Sequence, residues 1–222
     1  MSPMTFRPAL AIGLISASLW LGACAHAAPS VDFFRAVNID RAPMVVDLVK
    51  AGLDPNVRSE QGHYALYLAL RDGSPNVFNA LLAMPGINVN ATNDVGETPL
   101  MMAALRQNIG AMNALIKQGA SINKTGWTPL HYAGTGGSAE AVQLLLAQKA
   151  DIEAKSPNGS TPLMMAARYG SDESALALLK AGASPVARNE QGLTAADFAR
   201  SVGRDSLAAQ LDRAAKASAS PK

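Results

Sequence analysis

The sequence of 222 residues carries 19 Lys and Arg against 17 Asp and Glu, a formal net charge of +2. That balance gives no strong pull toward nucleic acid or an anionic membrane as the main partner. Hydrophobic residues make up 49% and charged residues 16%, which excludes general disorder, and aromatics at 5% require an aliphatic core. The single cysteine excludes a disulfide-stapled scaffold and a Cys-rich metal site.

The first 27 residues are expected to lie outside the fold as an export signal. Met1–Arg7 is short and carries one basic residue, and Pro8–Ala23 is apolar or small throughout. That is the layout of a secretory signal peptide, and the apolar run is short of the ~20 residues that span a bilayer. Ala25-His26-Ala27 is a cleavage site of the A-x-A kind, which would release a soluble chain starting at Ala28. Leu21-Gly22-Ala23-Cys24 resembles the lipobox of bacterial lipoproteins, in which Cys24 would become an acylated N-terminus. Both alternatives stay open.

From there the chain repeats itself. Gly96-Glu97-Thr98-Pro99-Leu100-Met101-Met102-Ala103-Ala104 recurs as Gly126-Trp127-Thr128-Pro129-Leu130-His131-Tyr132-Ala133 and as Gly159-Ser160-Thr161-Pro162-Leu163-Met164-Met165-Ala166-Ala167. A weaker copy begins at Gly192-Leu193-Thr194, and a degenerate one at Gly62-His63-Tyr64. Thr98, Thr128, Thr161 and Thr194 are spaced 30, 33 and 33 residues apart. Each copy continues into a second apolar stretch, such as Met112…Leu115-Ile116. A Gly-Ala pair then follows at Gly119-Ala120 and Gly182-Ala183. Val45…Gly52-Leu53-Asp54-Pro55-Asn56 fits the same frame, with Asp32–Val37 as its first helix, so six copies are counted.

The pattern resembles the ankyrin repeat, whose T-P-L-H-x-A-A motif is specific, over roughly Val31 to Ala214. The resemblance implies an all-α solenoid of about six helix-turn-helix repeats with short β-turn fingers. The physics agrees. Thr before Pro suits an N-cap followed by Pro at N1, and Leu and Ala three to four apart make one apolar face. Gly119 and Gly182 stand where a helix-ending left-handed residue is wanted, and Lys149 occupies that place in the fourth unit. No unit buries its face alone, so stacking is obligatory. Asn123 to Thr128 is three residues shorter than Asn90 to Thr98, so one finger is truncated. Asp212 and Arg213 suit a solvent-facing cap, and residues 215–222 are expected to be a disordered tail.

No catalytic constellation emerges. His131 stands at the motif histidine, and His26 goes with the signal or its tether. There is no GxSxG, P-loop, HExxH or CxxC motif. The pairs Met101-Met102 and Met164-Met165 could suggest soft-metal ligation. They sit two repeats apart, about 20 Å at ~10 Å per packing layer, too far to share one ion. No enzyme activity, cofactor or metal is expected. The resemblance instead puts turn tips and first-helix ends on a concave groove. Those positions are His63, Arg71 and Asp72, then Asp94, Glu97, Leu105 and Arg106, then Trp127 and Thr135, then Asn158, Arg168 and Tyr169. Trp, Tyr and Arg are enriched at binding hot spots, so Trp127, Arg71, Arg106, Arg168, Tyr169, Glu97 and His63 are the candidate partner-binding residues. Trp127 leads, because a large apolar ring beside the shortened finger has no evident structural need. The reading is a monomeric, exported, non-enzymatic module in the periplasm, or lipid-anchored through Cys24, that docks a protein partner. The alternative is a secreted effector or adhesion-type factor acting outside the cell.

Overall fold

The computed structural model describes residues 29–219, and the expected export signal with Cys24 lies outside them. Twelve helices follow in order among these residues. They are α1 (Pro29–Asn38), α2 (Ala42–Lys50), α3 (Ala65–Asp72), α4 (Pro75–Leu82), α5 (Pro99–Leu105) and α6 (Ile109–Lys117). Then come α7 (Pro129–Gly136), α8 (Ala139–Ala147), α9 (Pro162–Tyr169), α10 (Asp172–Lys180), α11 (Ala195–Arg200) and α12 (Asp205–Ala219). They pair into six units, and consecutive units stack first helix on first helix throughout, while the second helices pack in the pairs α2–α4 and α8–α10 and touch more lightly at α6–α8.

The threonines do the work their position predicts. The Oγ1 atoms of Thr98, Thr161 and Thr194 accept from Met101, Met164 and Asp197 N–H, satisfying a donor left open at the helix start. The residue three places after the threonine reaches back. Met101 and Met164 sulfurs each accept from the threonine N–H at 3.3 Å, and His131 Nδ1 does so at 3.2 Å. His131 adds a bond that methionine lacks, since its Nε2 donates to Ser160 O of the next unit at 3.0 Å. With one nitrogen accepting and the other donating, the imidazole is neutral and fully buried, and burial pushes its pKa down.

The first helices are buried further round than one apolar face. Ala65–Leu70 in α3 and Pro99–Ala104 in α5 are buried at every position. Each lies between two neighbouring first helices and its own second helix, so alanine, which permits close approach, occupies the crowded sides. The first helices α5, α7, α9 and α11 pack closely along the stack, whereas α6 and α8 barely meet. A stack whose units approach more closely on one side curves toward that side, which makes the first-helix side concave.

Side chains also stitch units together at the finger bases. Asn56, Asn90 and Asn123 each donate through Nδ2 to the carbonyl of the next unit's helix-ending residue, Gly86, Gly119 and Lys149, at 2.9, 3.1 and 3.0 Å. Their Oδ1 atoms accept from Asn88, Ser121 and Asp151 N–H. Glu153 holds the same slot in the fourth unit and, having no donor, only accepts from Ser184 N–H. Lys149 is left-handed at φ 62, as the frame requires, at a cost to a non-Gly residue of about 1 kcal/mol.

The expected tail differs. Helix α12 continues through Ala219, so residues 215–219 are helical rather than disordered. Leu207, Ala208 and Leu211 bury one side of α12, and the alanine-rich end prolongs it because alanine has the highest helix propensity. No described helix is long and apolar enough to cross a membrane.

Candidate partner-binding groove

Full fingers close alike. Ser59, Asn93, Ser156 and Asn189 N–H each donate to the carbonyl four residues on, at His63, Glu97, Ser160 and Leu193. Among the described residues no such pair closes the stretch 124–127, which is three residues short. Lys124 folds back there instead, its Nζ donating to Thr125 O at 3.2 Å and Trp127 O at 3.3 Å.

Trp127 stands beside this gap, half-buried, its ring edge-on to His131 at 5.3 Å between centroids. With Leu105, Tyr132, Thr135 and Met165 it lines a recess of about 230 Å³. The register explains the convergence. Counted from the motif threonine, Trp127 is one place before, Tyr132 and Met165 are four places after in successive units, and Leu105 and Thr135 are seven places after in successive units. One recess thus takes side chains from three units. Drug-sized sites run to ~300 Å³ and more, so this volume suits a side chain rather than a whole small molecule.

Arg106 and Tyr169 do not line the recess. Arg106 is exposed and turns back, donating to Arg71 O. Tyr169 is 57% exposed and lies under the Arg168 guanidinium, whose carbon is 5.2 Å from its ring centroid and 5.7 Å from that of Phe198. Arg168 Nε is buried with no hydrogen-bond partner. Arg71 is spoken for by Asp72, with Nε and Nη2 at 2.7 and 2.9 Å from the two carboxylate oxygens. Asp94 pairs with Arg58.

Glu97 is not free for a partner. Tyr67 OH donates to its Oε2 at 2.6 Å, Tyr132 OH to its Oε1 at 2.7 Å, and Asn93 Nδ2 to its Oε2 at 2.7 Å. Burial would raise its pKa, but these hydrogen bonds and the nearby His63 outweigh it and hold the carboxyl below its ordinary range. Burial, and then donation to Glu97, pushes both tyrosine hydroxyls well above theirs. His63 is half-buried and stacks on Tyr67 at 5.2 Å between centroids, and its Nδ1 is buried without a partner. The groove residues read from the sequence therefore divide. Trp127, Leu105 and Thr135 meet in one recess, while Glu97, Arg71 and His63 serve contacts within the chain. Tyr132, Met165 and Lys124 were missed, although Tyr132 and Met165 share a register position that the repeat itself displays.

Among the described residues no group of three or more His, Cys, Asp or Glu is placed to hold a metal ion.

The profile described as ankyrin repeats (3 copies) matches residues 33–125 and 122–189. The chain belongs to the ankyrin repeat family. It is 31% identical over 114 residues to the transient receptor potential cation channel subfamily A member 1 of Homo sapiens, 50% of this chain and 10% of that protein. It is 33% identical over 104 residues to the ankyrin repeat and SAM domain-containing protein 6 of Rattus norvegicus, 45% of this chain and 10% of that protein. To the B-cell lymphoma 3 protein homolog of Mus musculus it is 35% identical over 127 residues, 53% of this chain and 28% of that protein. The chain thus spans a minor part of the length of each of these relatives. The sixth unit, α11 and α12, lies beyond the matched residues, and the structure supplies it.

Proposed function

We propose that the chain is a non-enzymatic binding module that docks a protein partner on its concave side. The observation that carries this reading is the Trp127 recess, an apolar hollow opened by the missing finger and built from three units. Apolar hollows lined by aromatic residues are where binding energy concentrates at interfaces. Trp127→Ala is expected to weaken partner binding at least tenfold, about 1.4 kcal/mol, while lowering the unfolding midpoint little, since the indole is only half-buried. Calorimetric titration and thermal unfolding of the same preparations check both. Unchanged affinity would remove the recess as the docking point and favour the outer face of the second helices.

The layout of residues 1–27 supports export, with the periplasm as the destination and Cys24 as the acylation point if the lipobox is used. Metabolic labelling with a palmitate analogue is then expected to tag the wild type in the membrane fraction but not Cys24→Ser. An unlabelled wild type in the soluble periplasmic fraction would leave cleavage after Ala27, and one retained in the cytoplasm would end the export reading.

A further inference from the structure

The recess is apolar, and three cations stand near it, while the Glu97 carboxylate behind Tyr132 is taken up by Tyr67, Tyr132 and Asn93. Lys124 holds the carbonyl of Trp127 from one side. Arg106 follows Leu105 in the chain but turns back from the recess to Arg71 O. Arg168 lies one helical turn beyond Met165 on α9, close enough for i,i+3 side chains to be neighbours. None of the three has a carboxylate partner among the described ion pairs. Of the acids on that side, Asp72 is committed to Arg71, Asp94 to Arg58, and Glu97 to two tyrosines and Asn93, while Glu190, whose N–H donates to Asn158 O one finger further on, enters no described ion pair.

Arg168 is the most informative of the three. It stands seven places after its motif threonine, the slot that Leu105 and Thr135 fill in the two preceding units. The row across the groove therefore passes from the recess directly to a cation. The guanidinium lies over the rings of Tyr169 and Phe198, which fix its plane without neutralising it; its Nε is buried, so a partner would meet the two terminal nitrogens. A fork held in that way is suited to a carboxylate, which it can bind through two parallel N–H donors.

We propose that the groove takes an acidic peptide segment, with one large apolar side chain in the Trp127 recess and carboxylates on Arg168 and Lys124. The inference rests on the docking reading above and names the partner's chemistry. One unit is ~10 Å and an extended chain advances ~3.3 Å per residue, so a carboxylate on Arg168 belongs about three residues from the anchor. The recess supplies the anchoring energy, while the cations set which apolar segments are accepted and raise the association rate at low salt.

The test is a displayed library of random 12-residue peptides, enriched on the full chain and counter-selected on Trp127→Ala. The expected winners carry Phe, Trp or Leu with Asp or Glu about three residues away. Their affinity should fall at least tenfold for Arg168→Gln combined with Lys124→Gln, and fall with added salt. Neutral or basic apolar winners with unchanged affinity for that double variant would overturn the proposal while leaving the recess as a docking point. No enrichment over Trp127→Ala would sink both readings. Binding to phosphatidylglycerol vesicles that is lost in the double variant, with no peptide enriched, would assign the cations to a lipid surface and also overturn it. Gln substitutions at Arg168 and Lys124 keep the stems that pack, and a thermal midpoint close to wild type verifies that the double variant is folded.

Discussion

Gly170→Ala is expected to lower the unfolding midpoint by about 6–12 °C, corresponding to roughly 3 kcal/mol at 2–4 °C per kcal/mol for a domain of this size. A Cβ at Gly170 would lie 2.1 Å from Gly134 O, 2.8 Å from Ser174 Oγ and 3.1 Å from Ala166 Cα. The first of these is backbone of the preceding unit and cannot rotate away. Gly134 is tightly placed too, since its own Cβ would meet Pro162 O at 2.8 Å. The fourth and fifth units thus touch backbone to backbone, and one methyl group must push them apart. The loss extends beyond that contact. Arg204 of the sixth unit donates through Nη1 to Ala166 O, Ala167 O and Gly170 O at 3.0, 2.9 and 3.0 Å, capping the carbonyl end of α9. A displaced Gly170 moves this cap and so loosens the last unit too. Gly110→Ala is the control. Its nearest neighbour would be Asn108 Oδ1 at 3.6 Å, and in the helical backbone of α6 alanine should hold or raise the midpoint. Differential scanning calorimetry of both variants decides. A Gly170→Ala midpoint within a degree of wild type would mean that the two units do not pack this closely.

The stacked fold was legible because each unit restates the same instruction. Thr-Pro starts a helix, Leu and Ala fill it, and a left-handed residue ends the next one, and even Lys149 in that place adopts the conformation. The truncated finger was legible too, as a count of residues between Asn123 and Thr128. The recess was half legible. Trp127 was marked by its type and its place beside the gap, but Tyr132 was not singled out and Met165 was weighed only as part of a methionine pair. Only the distance between units shows that one slot in the fourth unit and the same slot in the fifth flank Trp127. Glu97 was misleading for a physical reason. Its slot, one before the threonine, is a groove slot, and Trp127 occupies it in the next unit. Whether a carboxylate there faces a partner depends on what stands in two neighbouring units. Tyr67 comes from the unit before and Tyr132 from the unit after, 30 residues upstream and 35 downstream. No window along one repeat contains both.

That arrangement makes Glu97 a clasp across three units, and Glu97→Ala is expected to cost about 3 kcal/mol. Hydrogen bonds to a charged acceptor are worth ~1.5–3 kcal/mol each, discounted here because the carboxylate is only half-buried, and the variant orphans the hydroxyl of Tyr67, which is 4% exposed. The pH dependence has a definite sign. Folding lowers the carboxyl's pKa from its ordinary 4.5, so the unfolded chain binds the proton first. The clasp's contribution is therefore present above about pH 4.5 and is lost as the pH falls through the lower folded value. At the other end, Tyr67 and Tyr132 hold their protons above the ordinary 10.0, so their contribution is present below pH 10 and is lost as the pH rises beyond it. Glu97→Gln should lie between wild type and Glu97→Ala, since the amide oxygen still accepts from one tyrosine, and its stability should be flat where the wild type declines in acid. Because the two tyrosines share one carboxylate, Tyr67→Phe and Tyr132→Phe should not add; removing the first lets Glu97 settle on the second. Urea titrations of the single and double variants between pH 3.5 and 7 measure both effects. Additive losses with an unchanged acid limb would show that the tyrosines act separately. The array would then be held between its second and fourth units by packing of the first helices and by the asparagine contacts at the finger bases, without a shared clasp.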